Sequence, residues 1–215
     1  MPSFIDYHET YLLATNFKVM YSTLRSQPGL MPIPDYLARR KIFMSKVRRD
    51  KLKSYLLVRN PYDRLVSFYI NKFKDDHLNR INENWQHCQL IFFPYLNLSH
   101  EDSETMIADR LTSTSFEEFT LLLPEVYDLD LHLNPQHWLV YRKWKGFLPL
   151  KVPFDTILKL ENDLDRLKNE LGLDIDILDN QTQHATYQDY FTQRSRETAN
   201  QLYARDFDLF SYQMD

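Results

Sequence analysis

One stretch near the middle of the first half of the chain restricts the fold most strongly: residues 54–73 read SYLLVRNPYDRLVSFYINKF. The apolar run at residues 55–58 is short and ends abruptly, which predicts a buried strand. Asn60 suits a helix N-cap and Pro61 suits the first helical position. Large apolar residues then recur at helical spacing through Phe73. The stretch therefore predicts a strand, a tight turn and a helix.

The turn of this unit has the composition of a phosphate site. Backbone N–H groups and the positive end of a helix dipole meet where a strand turns directly into a helix. Arg59 ends the predicted strand and offers a guanidinium that can bind phosphate through two hydrogen bonds. Ser67 adds a hydroxyl two turns into the helix. The alternative is a plain buried strand–helix unit in which Arg59 forms a surface ion pair.

A second strand–turn–helix unit precedes the first. Residues 11–15 form an apolar run, residues 16–18 a turn, and residues 19–24 the start of a helix. This turn also carries a cation, Lys18. Its alternative interpretation is an exposed lysine at a helix start.

The residues from Arg59 to Tyr69 resemble the 3′-phosphate-binding motif of sulfotransferases that use 3′-phosphoadenosine-5′-phosphosulfate (PAPS). The similarity is closest to the branch related to Golgi carbohydrate sulfotransferases. It implies that Arg59 and Ser67 hold the 3′-phosphate of the nucleotide, and that PAPS is the sulfuryl donor and PAP the product.

Residues 18–24 resemble the 5′-phosphosulfate loop of the same family. The resemblance implies that Lys18, Ser22 and Thr23 bind the 5′-phosphate, and that Lys18 acts in catalysis. Phe17 stands where the family usually has proline, so this match is less complete than that of the central motif.

The segment 130–136 (DLHLNPQ) resembles a further family segment containing His, Pro and Gln. Because an acceptor hydroxyl must lose its proton, we predict His132 as the general base. An extended segment would place Asp130, His132, Asn134 and Gln136 along one polar wall. The alternatives are that His132 is structural and that His137 or Glu161 is the base.

Alternating strands and helices predict an α/β class. We predict helices from Ser103 and from Ser115, which has Glu118 three residues later, and a helix that ends at Gly172. The resemblance implies a P-loop-like three-layer fold, in which helices flank a central parallel sheet. We expect residues 1–215 to form a single domain with an insertion near 75–112. The Pro-rich residues 28–34 predict a loop, and residues 75–103 an irregular, acceptor-facing segment. Three glycines are too few for a glycine-rich phosphate loop.

Composition restricts partners and compartment. The net charge of −4 gives no indication of nucleic-acid binding, and the one cysteine excludes an intramolecular disulfide. The sequence shows no signal-peptide pattern and no apolar run long enough to span a membrane, so we expect a cytoplasmic protein. No two ligand residues stand at a metal-binding spacing, so we expect no metal.

Together these patterns predict a sulfotransferase that moves a sulfuryl group from PAPS to an acceptor hydroxyl. The branch it resembles implies a carbohydrate acceptor, either an anionic or a neutral saccharide. Two alternatives are a non-catalytic relative that binds the nucleotide and a nucleotide-dependent kinase with an atypical phosphate loop. The kinase would need the glycine-rich loop that this sequence lacks.

Overall fold

A computed structural model describes most of the chain and divides it into two compact units. The described residues are 1–49, 51–74, 84–144, 147–175 and 186–215. The first unit comprises Met1–Asn60, Gln136–Gln181 and Leu209–Ser211. The second comprises Pro61–Pro135, Thr182–Asp208 and Tyr212–Asp215.

The elements follow the chain in this order. The first part contains β1 (Ser3–Asp6), β2 (Tyr11–Ala14), α1 (Tyr21–Ser26), β3 (Leu30–Ile33), α2 (Asp35–Arg48) and β4 (Lys53–Val58). Then come α3 (Pro61–Tyr69), which continues as a π-helix (Ile70–Lys74), α4 (His87–Leu90), a 3₁₀ turn (Phe93–Tyr95), α5 (Glu104–Ser113) and α6 (Phe116–Val126). The last part contains α7 (His137–Val140), β5 (Tyr141–Trp144), β6 (Phe147–Lys151), β7 (Thr156–Lys159), α8 (Leu164–Leu171), a 3₁₀ turn (Tyr187–Asp189) and α9 (Gln193–Leu209).

The first unit is built on a mixed sheet in the order β3-β1-β2-β4-β7. β2, β4 and β7 run parallel, which confirms the α/β class and the parallel centre of the sheet. β1 and β3 are antiparallel additions at one edge, so the sheet is not parallel throughout. The apolar run of β4 is buried along its length, as expected for a strand covered on both faces. β5 and β6 form a separate antiparallel hairpin.

The loop predicted at residues 28–34 is wrong for its second half, because Leu30–Ile33 forms β3. Pro32 pairs with Phe4 of β1 in an antiparallel register. Proline cannot donate to a ladder, but an edge strand has one side that needs no donor. The strand depends on pairing with β1, a contact between residues distant in sequence.

The core of the first unit is aliphatic and contains residues from both sheet and helices. Buried members come from the strands and from α1 and α8: Phe4, Leu13, Leu24, Leu57, Leu158, Leu167 and Leu171. α8 ends at Gly172, whose φ of 64° is the left-handed conformation that glycine adopts without strain. This confirms the helix stop predicted at that glycine.

The second unit is helical and has an aromatic core. Four phenylalanine rings from different segments pack together there: Phe68, Phe73, Phe92 and Phe119. Ser103 and Ser115 cap α5 and α6 by accepting backbone N–H groups, and these two helix starts match the sequence prediction.

The prediction of an irregular segment over residues 75–103 is wrong for two short helical elements, residues 87–90 and 93–95. Residues 84–103 include α4 and a 3₁₀ turn, while 75–83 lie outside the described residues. The side chains of Gln86 and Gln89 cap α4 reciprocally, and Phe92 and Phe93 are buried in the aromatic core. Within the described residues, no helix is both long and apolar enough to cross a membrane.

Candidate functional site

The two cations predicted to bind phosphate lie at the ends of neighbouring strands in the first unit. β2 and β4 pair in parallel, with Ala14 opposite Leu56, so their carboxyl ends reach the same edge of the sheet. The guanidinium of Arg59 donates a hydrogen bond to the backbone carbonyl of Lys18 at 3.1 Å. The loop after β2 and the turn after β4 are therefore joined directly.

The loop after β2 adopts a conformation that is unusual for residues with side chains. Lys18 and Met20 have φ values of 64° and 56°, in the left-handed region. That region costs a non-glycine residue about 1–2 kcal/mol. Phe17 contacts Tyr21 edge to face, with ring centroids 4.8 Å apart, across the same loop. Loops that include left-handed residues can turn successive N–H groups toward one point and so form anion-binding concavities.

The two hydroxyl residues of this loop differ in accessibility. Ser22 lies near the start of α1 and is exposed to solvent. Thr23 is the next residue and is 3% exposed, so it packs inside the first unit. Ser22 is therefore the more accessible hydroxyl of the pair.

Two side chains from the second half of the chain fix the turn after β4. The amide of Gln136 accepts the N–H of Arg59 at 3.0 Å and donates to the Arg59 carbonyl at 2.7 Å. The carboxylate of Glu161, which follows β7, accepts the N–H of Asn60 at 2.6 Å. Gln136 was predicted to line a polar wall with His132, and its contact with Arg59 was not predicted. Glu161, an alternative base, here holds the backbone of the turn.

Ser67 lies inside α3, in the second unit, and is 7% exposed. Serine within a helix often hydrogen-bonds a carbonyl of the preceding turn. Among the described residues, the Ser67 hydroxyl has no hydrogen-bond partner. A ligand atom that reaches it would satisfy this group.

His132 forms a hydrogen-bonded pair with Asp130 in the second unit. The carboxylate of Asp130 lies 2.7 Å from Nδ1 of His132 and also accepts the His132 backbone N–H at 2.8 Å. A charged carboxylate cannot donate, so Nδ1 carries the proton and the lone pair of a neutral ring is on Nε2. Phe68 packs beside the ring, with centroids 6.1 Å apart. The Asp130 carboxylate thus fixes the orientation of the imidazole.

The carboxylate of Asp130 contacts two histidines, one through each oxygen. Its other carboxylate oxygen lies 2.9 Å from Nδ1 of His87. Burial by itself would raise the pKa of Asp130, but hydrogen bonds from His132 and His87 outweigh it and lower that pKa to about 2. The carboxylate is therefore charged at neutral pH, where it can stabilise a positive charge on either ring.

The extended polar wall predicted for residues 130–136 is wrong. The backbone N–H groups of Leu133 and Asn134 both donate to the carbonyl of Asp130, so the segment turns. Asp130 and His132 contact each other through this turn, whereas Gln136 belongs to the first unit and binds Arg59. The short side chain of an aspartate favours such local turns over extended backbone.

Arg64 holds the turn that carries His132. Its guanidinium donates to the carbonyls of His132 at 3.0 Å, Leu133 at 3.4 Å and Asn134 at 2.9 Å. The side chain is 1% exposed and lies over the ring of Tyr203, 5.5 Å from its centroid. An arginine is rarely buried this fully without a structural reason. The sequence hinted at this only through the place of Arg64 in the central motif.

A cavity of about 450 Å³ opens beside the histidine pair in the second unit. Its lining combines an indole, two amides and groups that ligate metals: Asn84, Trp85, Gln86, His87, Cys88, Asp130 and His132. Ligand atoms of Cys88, Asp130 and His132 lie within 4.8 Å of one another. Nothing in the sequence indicated that Cys88 would lie near His132.

Comparison with known proteins gives one match. A family model described as the sulfotransferase family matches residues 35–213, which is most of the chain. The matched range contains Arg59, Ser67 and His132 and begins after Lys18 and its loop. No curated protein and no solved structure matches significantly.

Proposed function

Because the chain belongs to the sulfotransferase family, we propose that it transfers the sulfuryl group of PAPS to a hydroxyl of a carbohydrate acceptor and releases PAP. The observation that carries this proposal is the 3.1 Å hydrogen bond from the Arg59 guanidinium to the Lys18 carbonyl. It joins two cationic turns that are 41 residues apart in the chain. A nucleotide with phosphates on both its 3′ and 5′ positions needs two such turns side by side.

In this proposal, the two turns bind different ends of the nucleotide. Arg59 supplies its guanidinium fork to the 3′-phosphate, with the unpartnered hydroxyl of Ser67 as a further donor. Lys18, Ser22 and Thr23 hold the 5′-phosphate, with Ser22 as the more accessible of the two hydroxyls. The sulfur of PAPS is already activated, so catalysis requires positioning and neutralisation of charge on the leaving oxygen. Lys18 provides that neutralisation.

His132 accepts the proton of the acceptor hydroxyl through Nε2. Asp130 keeps the proton of the neutral ring on Nδ1 and stabilises the charge that the ring gains when Nε2 is protonated. The pair thus resembles the base and orienting carboxylate found in other hydroxyl-activating sites. The acceptor hydroxyl oxygen forms a new bond to sulfur, and the bond between sulfur and the 5′-phosphate oxygen breaks to release PAP. The hydroxyl proton moves to His132.

The cavity beside His132 is the proposed place for the acceptor. Trp85 offers an aromatic face for the apolar side of a sugar ring, and the polar side chain of Asn84 lines the same cavity. A neutral saccharide meets these groups alone. An anionic saccharide would also meet His87, which is 68% exposed and carries a positive charge when protonated.

We also propose a reducing, cytoplasmic compartment. Cys88 is the sole cysteine and is buried as a thiol. Thiols are kept reduced in the cytosol, whereas secreted domains commonly pair theirs.

Transfer of radiolabelled sulfate from PAPS to a panel of neutral and anionic saccharides tests the function. We expect labelled product from at least one saccharide and binding of PAP by calorimetry. PAP binding without transfer to any acceptor would indicate a non-catalytic relative. Phosphoryl transfer from ATP in place of sulfuryl transfer would indicate a kinase.

We expect Arg59→Ala to weaken PAP binding by about 10- to 150-fold, since a hydrogen bond to a charged group contributes about 1.5–3 kcal/mol. Calorimetry with PAP measures the change. Arg40→Ala is the matched control because Arg40 is an exposed arginine of the same unit, on α2. Equal PAP affinity in the folded Arg59→Ala protein and the control would contradict the nucleotide assignment.

Lys18→Ala should lower kcat more than it raises the KM for PAPS, because charge on the leaving oxygen develops in the transition state. Steady-state kinetics at varied PAPS gives both constants. Alanine keeps a Cβ at the left-handed position, so the backbone strain is unchanged. Met20→Ala, at the other left-handed position of the loop, controls for loop conformation without changing charge. Normal turnover in Lys18→Ala would show that Lys18 is a surface cation.

A further inference from the structure

The proposed base belongs to a cluster of potential metal ligands, of which Cys88 has no role in the transfer reaction. Cys88 is 1% exposed and lines the cavity together with His87, while Asp130 and His132 close the set. Sγ of Cys88, a carboxylate oxygen of Asp130 and a ring nitrogen of His132 lie within 4.8 Å of one another. His87 joins them through Nδ1, 2.9 Å from Asp130. Sulfur, nitrogen and carboxylate oxygen thus converge on one point.

This combination of ligand atoms selects a particular class of metal. Thiolate and imidazole favour zinc, and carboxylate completes many zinc sites. Magnesium and calcium prefer oxygen ligands throughout, so a cysteine with two histidines disfavours them. Zinc also requires only four ligands in a tetrahedron, which matches the number of side chains here.

The geometry needs little change to accept the ion. Zinc binds sulfur at about 2.3 Å and nitrogen or oxygen at about 2.0–2.2 Å, so tetrahedral ligand atoms lie about 3.3–3.8 Å apart. Because the three atoms lie within 4.8 Å of one another, no pair has to approach by more than about 1.5 Å. His87 is the most exposed of the four and can turn toward the ion. The cavity of about 450 Å³ provides the entry path.

We propose that Cys88, Asp130 and His132 form a zinc-binding site, with His87 as the fourth ligand. The ion binds Cys88 as a thiolate, and the thiol proton leaves for solvent. No oxidation or reduction occurs. No motif in the sequence indicated this site, because only the fold brings residues 87–88 to residues 130–132.

The site has a consequence for activity, and this part rests on the proposed function. A zinc ion bound to His132 blocks the imidazole or moves it out of place, so the ring cannot take the proton of the acceptor hydroxyl. Zinc therefore inhibits sulfuryl transfer at concentrations that fill the site. In this way the chain would respond to the free zinc concentration through its own base.

Zinc binding is measured on the full chain after removal of metal, without PAPS, by competition with a chromophoric zinc indicator. We expect one zinc ion per chain. Cobalt in place of zinc should give the near-ultraviolet charge-transfer band of a cobalt–thiolate bond. Excess magnesium should displace neither ion.

Two variants locate the site. Cys88→Ser should abolish the cobalt–thiolate band and weaken zinc binding at least about a hundredfold, the upper end of what loss of an outer-shell partner costs. His87→Asn alters an exposed side chain, so it tests the site without disturbing the core, and it should weaken binding about tenfold. His8→Asn is the matched control, because His8 is exposed and belongs to the first unit.

Absence of stoichiometric zinc binding would overturn the site, as would zinc affinity that neither Cys88→Ser nor His87→Asn changes. Transfer activity in a protein that binds no zinc would leave the proposed function standing and remove this inference alone. Zinc binding at Cys88 without inhibition of transfer would uphold the site and overturn His132 as the base. If zinc inhibits the unmodified protein but inhibits Cys88→Ser less, with each protein compared with its own metal-free activity, the result would support both the zinc site and His132 as the base.

Discussion

His132→Asn is expected to lower turnover at least about a hundredfold, the low end of what a positioned general base contributes. Asparagine keeps much of the size and hydrogen bonding of histidine but cannot accept a proton near neutral pH. Because His132 is proposed to act on the acceptor, PAP affinity should not change. The acidic limb of the pH–rate profile should disappear together with the base. Kinetics with PAPS and a saccharide acceptor, and calorimetry with PAP, measure both effects.

The controls for this prediction separate the competing bases. His137→Asn changes a buried histidine of the first unit, at the start of α7, and should leave the acidic limb in place. Asp130→Asn removes the carboxylate that orients the His132 ring and should lower kcat with little change in KM. If His132→Asn keeps turnover within a few-fold and retains the acidic limb, His132 is structural. His137 or Glu161 would then be the remaining candidates.

Arg64→Met is expected to lower the free energy of unfolding by about 2–4 kcal/mol, because it removes a buried donor from three carbonyls of the His132 turn. The Leu133 carbonyl keeps another donor, the Tyr203 hydroxyl at 2.8 Å. Methionine fills much of the space and avoids a large cavity, so the loss reports mainly on hydrogen bonding. The turn that positions His132 should loosen as well, lowering kcat about tenfold or more. Denaturant unfolding and steady-state kinetics measure the two effects.

Two further variants make this test specific. Arg64→Lys keeps the charge but not the planar fork, so it should recover only part of the stability and of the turnover. Arg196→Met removes a less buried arginine of the same unit, which pairs with Asp215 at 2.9 Å. A pair of this kind contributes about 1 kcal/mol or less. Equal stability of the Arg64→Met and Arg196→Met proteins would show that Arg64 does not hold the turn.

The elements that the sequence predicted correctly depend on interactions between near neighbours in the chain. Asparagine and proline at residues 60–61 start α3, and Ser115 caps α6 through the N–H of Glu118, three residues on. Gly172 ends α8 because glycine adopts the left-handed conformation without strain, which depends on that residue alone. Each signal lies within a few residues of its effect. A short pattern in the sequence can therefore predict where such a helix begins or ends.

The elements that the sequence missed depend on distant partners. β3 contains a proline and was predicted as a loop. The strand forms by pairing with β1, which lies outside the short stretch of sequence on which that prediction rested. The short helix α4 was predicted as irregular, because burial against the aromatic core stabilises it. Propensity and pattern are weak where a tertiary contact supplies the stabilisation.

The candidate site divides in the same way. The sequence alone identified Lys18, Arg59, Ser67 and His132 as chemically competent groups, since a cation after a strand or a histidine in a polar segment is visible in the order of residues. Only the tertiary structure decided that the Arg59 guanidinium meets the Lys18 backbone. The hydrogen bond between Asp130 and His87, which are 43 residues apart in the chain, is likewise visible only in the tertiary structure. The physical reason is that hydrogen bonds and charge interactions act over a few ångströms in space, and the folding of the chain sets which residues come within that distance.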